Sequence, residues 1–316
     1  MGIMKLISIV VPVYNEEDNI RHFYGAICDV MEKLSYAFEL IFVDDGSKDS
    51  SRQILRELEM KDERVQPIFL ARNFGHQLAL TCGLDHADGD AVIMMDGDMQ
   101  HPPELIPVLV EKWEAGFEVV QTIRKTTEGV SAVKKLTSYY YYKILNLLSS
   151  VHIQEGGSDF RLMDKVVVRS FRRYKEHGRF IRGMIGAMGY KQTQIEFVAL
   201  KRFAGVSKFS PRKMLHFALD GILSYSTLPL RFGLYGGVLC GGLSFALLLH
   251  VLYIKWFTLD AVPGWATITG CILFFGGVQL TILGIIGEYI GRIFEEVKNR
   301  PLYLIARGKP KNGEDV

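Results

Sequence analysis

Cysteine is scarce and unpatterned in this sequence. Cys28, Cys82, Cys240 and Cys271 show no CxxC or Cys/His ligand spacing, and two of them fall in apolar runs. Neither a disulfide framework nor a zinc site is expected, and a reducing compartment fits. No turn from strand to helix carries Gly-x-Gly-x-x-Gly, which disfavours a dinucleotide-dependent oxidoreductase. The N-terminus, MGIMKLISIVVPVYNEE, has only a short apolar stretch that reaches Pro12 and then charge. It reads as a first core strand and not as a signal peptide. Neither sign of charge is in excess: 37 Lys and Arg stand against 35 Asp and Glu, a net +2. No nucleic-acid partner is expected.

The charge that is present is unevenly placed. From Arg169 to Lys213 there are twelve Lys or Arg against two acids, Glu176 and Glu196, which leaves the rest of the chain net acidic. This basic block lies just ahead of the most apolar part of the sequence, so an anionic surface is its expected neighbour. At 316 residues the chain can bury a substantial core.

Up to about residue 200, short apolar runs alternate with amphipathic segments. KLISIVVPVY, FELIFVDD, VQPIFLAR and DAVIMMDGD read as strands rich in Val, Ile and Phe. Helix-like segments, Glu17 to Leu34, Asp49 to Met60 and Gly75 to Ala87, lie between them. This spacing predicts an α/β fold with a parallel sheet covered by helices. Ligands of such sheets bind beyond the carboxyl ends of the strands. Three strands here end in polar signatures, PVYNEE, VDDGS and DGDMQ, and so point to one site.

The second region has two uncharged 23-residue runs, Phe232 to Ile254 and Trp265 to Gly287. Each is long enough to cross a hydrocarbon core of roughly 30 Å at about 1.5 Å per residue. The linker carries one Lys and one Asp, whereas the outer flanks carry Lys213, Arg231, Arg292, Lys298, Arg300, Arg307, Lys309 and Lys311. The positive-inside rule predicts a hairpin in the cell's inner membrane with the α/β domain in the cytoplasm. Gly233, Gly237 and Gly241 permit close helix packing, which leaves a homo-oligomer open. Residues 211–231 read as an amphipathic helix in the plane of the interface. The expected layout is a catalytic domain over 1–210, this helix, two spans within 232–291, and a basic cytoplasmic tail over 292–316.

Asp96 and Asp98 follow a buried strand, and a two-residue period starts their side chains on one face. Two carboxylates that can meet one cation suit Mg²⁺ or Mn²⁺ completed by substrate phosphates. At PVYNEE, Tyr14 is suited to stacking and Asn15 or Glu16 to hydrogen bonds. Asn15 as a helix cap is compatible with that. His101, between the metal motif and two prolines, reads as positional rather than as a ligand.

Together SIVVPVYNEEDNI, VDDGSKDSS, RNFGHQLAL, DGDMQHPPE and GGSDFRLMD resemble a family-2 glycosyltransferase of the polyisoprenyl-phosphate branch. Dolichol-phosphate mannosyltransferases and bactoprenol-phosphate glucosyltransferases belong to that branch. The resemblance covers essentially the whole chain. It implies a GT-A (Rossmann-like) catalytic domain, a nucleotide-sugar donor (UDP- or GDP-hexose), a divalent metal and an inverting transfer to a polyprenyl phosphate at the lipid bilayer. By the resemblance, Pro12, Tyr14, Glu16, Val43 and Asp45 fall on nucleoside-contacting positions. Asp96, Gly97 and Asp98 fall on the metal and diphosphate motif, with Gln100 beside it, and Arg124 falls near the donor phosphates. Asp159 falls where the family has an acid near acceptor and sugar, as a base or as an organiser of Arg or acceptor groups. KRFAGVSKF gives Arg202, Ser207 and Lys208 as phosphate-binding positions; Val206 departs from the polar residue many members have there.

UDP-glucose is the expected donor, with GDP-mannose as the alternative. A processive polysaccharide synthase is disfavoured, since none of Trp113, Trp256 and Trp265 follows an arginine as a Gln-x-x-Arg-Trp element requires. A non-catalytic nucleotide-binding anchor is disfavoured by the intact Asp96, Asp98, Asp159, Arg202 and Lys208.

Overall fold

The computed structural model describes residues 4–124, 157–198, 228–257 and 264–307, which fall into two compact units. The in-plane segment expected over 211–231 up to residue 227, and Arg202, Ser207 and Lys208, lie outside the described residues.

The first unit is built on four strands that are apolar on both faces: β1 (Leu6–Val13), β2 (Ala37–Asp44), β3 (Val65–Leu70) and β4 (Ala91–Met94). Burial on both faces is the reason these segments are largely apolar runs. They pair in parallel, Val13 opposite Asp44 and Val10 opposite Met94. Helices α1 (Ile20–Met31), α2 (Ser51–Lys61), α3 (His76–His86) and α4 (Ile106–Glu114) make the crossovers. Phe23 and Ile27 of α1, Leu55 of α2 and Leu109 of α4 join Ile9, Val11 and Phe42 in one core layer. On the other face α3 lies so close to β1 that a Cβ on Gly83 would come within 2.2 Å of Val10 Cγ1.

The sheet is mixed, which corrects the expectation of a parallel one. Among the described residues it has eight strands in the order β7-β5-β6-β4-β1-β2-β3-β8, with β5 (Val119–Arg124), β6 (Gly157–Asp164), β7 (Gln192–Phe197) and β8 (Ile305–Arg307). β6 runs antiparallel to both β4 and β5, and β8 antiparallel to β3. Because β6 is reversed, its amino end lies at the same edge of the sheet as the carboxyl ends of β1, β2, β4 and β5. GGSDFRLMD therefore enters the sheet as a strand whose first residues reach the site. α5 (Lys165–Phe171) follows, capped by Asp164, which accepts Val166 N–H at 2.8 Å, and α6 (Ile181–Ala187) packs beside it. The cap is thus Asp164, which leaves Asp159 for another role.

The second unit is two long helices, α7 (Leu228–Phe257) and α8 (Trp265–Val297). Each is longer than its uncharged run. Gly233 of α7 faces Ile282 of α8, 3.4 Å from where a glycine Cβ would stand. Large apolar side chains on both, among them Leu239, Phe245, Ile272 and Leu280, are exposed. The stretch Gly270–Val297 is long and apolar enough to cross a membrane; Gly233–Ala246 is a shorter apolar run.

Candidate active site

The neighbours of β1 are β2 on one side and β4 on the other, so the chain reverses direction of travel across the sheet at β1. A crevice opens at such a point, beyond the strand carboxyl ends. Its first wall is the loop after β1. Asn15 N–H donates to Ser47 Oγ at 2.9 Å, and Lys48 N–H to Asn15 Oδ1 at 2.9 Å. Glu16 N–H donates to Ser51 Oγ at 3.0 Å, and Ser50 N–H to Glu17 Oε2 at 2.8 Å. These reciprocal bonds join the loops after β1 and β2. Asn15 is consequently a loop residue at φ 53°, and not the cap of α1, which begins after Asn19. The Glu16 carboxylate accepts from Asn19 Nδ2 at 2.5 Å, and Tyr14 and Pro12 are half-buried at the same rim.

The VDDGS pair divides its work. Asp44 accepts from Arg52 Nε at 2.6 Å and from Ser47 N–H. Asp45 accepts the N–H groups of Phe74 and Gly75 at 2.6 and 2.9 Å. Burial raises the Asp45 pKa, against these two amides, which favour the ionised form. Val43, expected at the nucleoside, is fully buried with its side chain toward Gly83. Alternation along β2 turns it to the α3 face.

β4 ends at Met94, so strand alternation does not carry through Asp98 as expected. A turn directs it: Asp98 Oδ1 accepts Gln100 N–H at 3.1 Å, and Met99 takes φ 61°. Gly97 packs on β1, with 3.3 Å between a Cβ built there and Val11 Cγ1. Asp96 Oδ1 is enclosed without a hydrogen-bond partner, and His76 Nε2 lies 3.4 Å from it. Among the described residues no three His, Cys, Asp or Glu form a cage. A carboxylate oxygen without a hydrogen bond, beside the His76 imidazole and with a second carboxylate two residues on, fits a hard divalent cation that completes its shell with substrate phosphates. His101 holds the motif in place. Its Nδ1 accepts Asp96 N–H at 3.0 Å, which puts the ring proton on Nε2, facing Ser158 Oγ at 2.7 Å. Burial lowers its pKa, so it is a neutral support, as its position between the motif and the prolines suggested.

Asp159, near the start of β6, faces the same crevice. His76 Nε2 lies 3.5 Å from Asp159 Oδ2 as well as 3.4 Å from Asp96 Oδ1, so the two carboxylates stand within about 7 Å. Arg182 grips Asp159 with Nε on Oδ1 at 2.7 Å and Nη2 on Oδ2 at 2.9 Å. Arg161 Nη2 lies 3.8 Å from Oδ1. Burial alone would raise the Asp159 pKa; the charge of Arg182, the hydrogen bonds from His76 and Arg182, and Arg161 outweigh it and hold the carboxyl well below its usual range. Burial pulls Arg161 down to about 10, which leaves it charged at neutral pH. Arg124 is exposed at the end of β5, on this same edge of the sheet. His76, Arg161 and Arg182 are the members that motif reading gave no role. The period-two pattern of β6, with charges at 159 and 161 against Phe160 and Leu162, is the one signal for Arg161.

The profile of Glycosyl transferase family 2 matches residues 8–172. YkcC, a glycosyltransferase of Bacillus subtilis, is 45% identical over 300 residues, 95% of this chain and 93% of its own. The glycosyltransferase sll0501 of Synechocystis is 43% identical over 301 residues, 95% of this chain and 94% of its own. The bactoprenol glucosyl transferase of Shigella phage SfII is 42% identical over 313 residues, 96% of this chain and 99% of its own. Strand ends that carry three acidic motifs to one crevice, and identity at this level from end to end, make this chain a member of glycosyl transferase family 2.

Proposed function

We propose that the protein transfers glucose from UDP-glucose to a polyprenyl phosphate, with inversion at the anomeric carbon. The observation that carries this reading is the 42% identity, over 96% of the chain, to a bactoprenol glucosyl transferase. The crevice is consistent with it. A phosphate oxygen of the acceptor forms a bond to C1 as the bond from C1 to the nucleoside diphosphate breaks, and the diphosphate leaves with the electron pair. The acceptor is already an anion, so no proton must be removed first. A carboxyl held as low as Asp159 is a weak base, which favours the organiser role for it. Asp96 and Asp98 would hold Mg²⁺ or Mn²⁺ against the donor diphosphate, where the cation supplies charge neutralisation. Tyr14, Glu16 and Asp45 line the nucleoside end, and Arg124, Arg202, Ser207 and Lys208 serve phosphates.

The acceptor is a lipid, and α7 and α8 expose apolar side chains along their length. We place both in the cell's inner membrane, with residues 1–210 and 292–316 on the cytoplasmic side and 211–231 along the surface. The basic flanks support that orientation. The test is a panel of radiolabelled UDP-glucose, UDP-N-acetylglucosamine and GDP-mannose, with short polyprenyl phosphate, Mg²⁺ or Mn²⁺ and the protein in detergent. A glucosyl lipid is expected from UDP-glucose. A mannosyl lipid alone would reassign the donor, and no lipid-linked product from any arm would refute the reading.

A further inference from the structure

His76 and Gln77, in RNFGHQLAL, open α3, and each reaches to a different element. His76 Nε2 stands 3.4 Å from Asp96 Oδ1 and 3.5 Å from Asp159 Oδ2. Both distances exceed the roughly 2.7–3.2 Å of a full N–H···O bond, so one nitrogen is shared between two carboxylates and closed on neither. Gln77 Oε1 accepts the N–H of Ile181, the first residue of α6, at 3.2 Å. The next residue, Arg182, holds Asp159 through Nε at 2.7 Å and Nη2 at 2.9 Å. The contacts close into a ring: α3 to α6 through Gln77, α6 to Asp159 through Arg182, and Asp159 back to α3 through His76. Asp96 joins that ring at His76.

The base of the ring is pinned from both sides. Asp45 accepts the N–H groups of Phe74 and Gly75, Gly75 takes φ 101°, and Thr81 Oγ1 donates to the Gln77 carbonyl at 2.8 Å. The His76 side chain is 44% exposed, so it faces the crevice rather than filling the core. An imidazole there supplies an N–H between two carboxylates that repel each other. We infer that His76 is a positioning residue for the transfer: its Nε2–H sets the distance between Asp96 at the donor diphosphate and Asp159 as organiser on the acceptor side. The inference rests on the glucosyl-transfer reading and adds a residue to it. The role needs an N–H donor and no exchange of protons. Attack of the acceptor oxygen on C1 depends on that distance, and a shift of about 1 Å between reacting groups can cost about 100-fold in rate.

The test uses the full-length protein in detergent with UDP-glucose and short polyprenyl phosphate. Wild type comes first: if it transfers no glucose to the lipid, the functional reading fails before this inference is reached. With an active wild type, His76→Ala should lower kcat by about 10- to 100-fold. KM for both substrates should stay within about twofold. His76→Gln, whose amide Nε2–H can stand near the same place, should recover part of that loss. His76→Phe, a ring without the N–H, should not. Recovery with an amide also excludes proton transfer by the imidazole. As a readout free of turnover, Mn²⁺ with UDP should raise the thermal midpoint of all three variants as it does that of wild type. A wild-type midpoint shows that each variant is folded; should His76→Ala not fold, His76→Gln against His76→Phe carries the comparison. An unchanged kcat, an effect confined to either KM, or equal losses in His76→Gln and His76→Phe would overturn the assignment. Loss of the Mn²⁺–UDP shift in His76→Ala would place His76 at the cation alone and overturn it as well.

Discussion

Asp45 Oδ2 accepts the backbone N–H of Gly75 at 2.9 Å, while Oδ1 takes that of Phe74. The carboxylate just past the end of β2 therefore sets the turn that delivers His76 to the crevice. Asp45→Ala leaves both amides without their acceptor, which costs about 1–3 kcal/mol per buried group. Both the thermal midpoint and the transfer rate should fall. A variant with an unchanged midpoint and only a raised donor KM would show that Asp45 serves the nucleoside and not the turn.

Gly46 sits at φ 74°, and a Cβ there would come within 2.5 Å of Arg72 C and Asn73 N. Both the conformation and the contact exclude a side chain, since the obstacle is backbone and cannot rotate away. Gly46→Ala should destabilise by about 2–4 kcal/mol, read as a drop in denaturant midpoint. Wild-type stability in that variant would mean that the two turns are not in contact.

Arg64 donates Nε to Asp62 Oδ1 at 2.9 Å and Nη2 to Oδ2 at 2.8 Å, and this bond in the first place holds Asp62 down to about 2. The folded pKa lies below the unfolded value of about 3.9. The pair's stabilisation, of order 2 kcal/mol, is then complete above about pH 4 and lost as pH falls toward 2. Asp62→Asn should lower stability at pH 7 and flatten the unfolding profile between pH 4 and 2. An Asn variant with the wild-type acid slope would count against the pair.

Chelation should stop transfer, and added Mn²⁺ or Mg²⁺ should restore it. Asp98→Ala should abolish transfer with a thermal midpoint close to wild type, because Asp98 lies in a turn at the crevice. Full activity without that carboxylate would remove it from the metal motif. As a readout independent of turnover, Mn²⁺ with UDP should raise the thermal midpoint of wild type but not of Asp98→Ala.

Tyr303 Oη donates to Asp85 Oδ2 at 2.8 Å, tying the segment after α8 to α3. Burial raises the Asp85 pKa, and the Tyr303 bond opposes that rise. A raised folded carboxyl costs stability as pH climbs from its unfolded value through its folded one. Tyr303→Phe should therefore destabilise by about 1–3 kcal/mol, with the deficit growing as pH rises above the unfolded carboxyl value of about 3.9. Limited proteolysis should also cut the variant faster after Arg300. Equal protection in both proteins would show that the bond does not secure the segment.

The parts legible in the sequence share a physical cause. β1 to β4 are buried on both faces, so each is a largely apolar run, and the acidic strand ends stand out against it. β6 escaped because alternate positions hold Asp159 and Arg161, whose burial is made tolerable by Arg182, 23 residues beyond Asp159. No local pattern reports a compensation made at that distance. Asp98 followed a turn once pairing stopped at Met94, and Val43 faced the core because its position in β2 decided its direction. β8 has three residues, too few for a period. His101 was readable because the prolines beside it restrict the backbone.

β8 has one more consequence, and it concerns where the catalytic unit ends. The chain leaves that unit, runs through α7 and α8, and then supplies Ile305–Arg307 to the open side of β3, with Ala71 N–H on the Leu304 carbonyl at 2.8 Å. A soluble fragment cut at residue 210 would lack this strand. Its bare edge, β3, with Ile68, Phe69 and Leu70 at its end, would invite strand pairing between molecules. A water-soluble catalytic fragment must therefore be spliced, with residues 301–307 returned through a linker in place of the two helices.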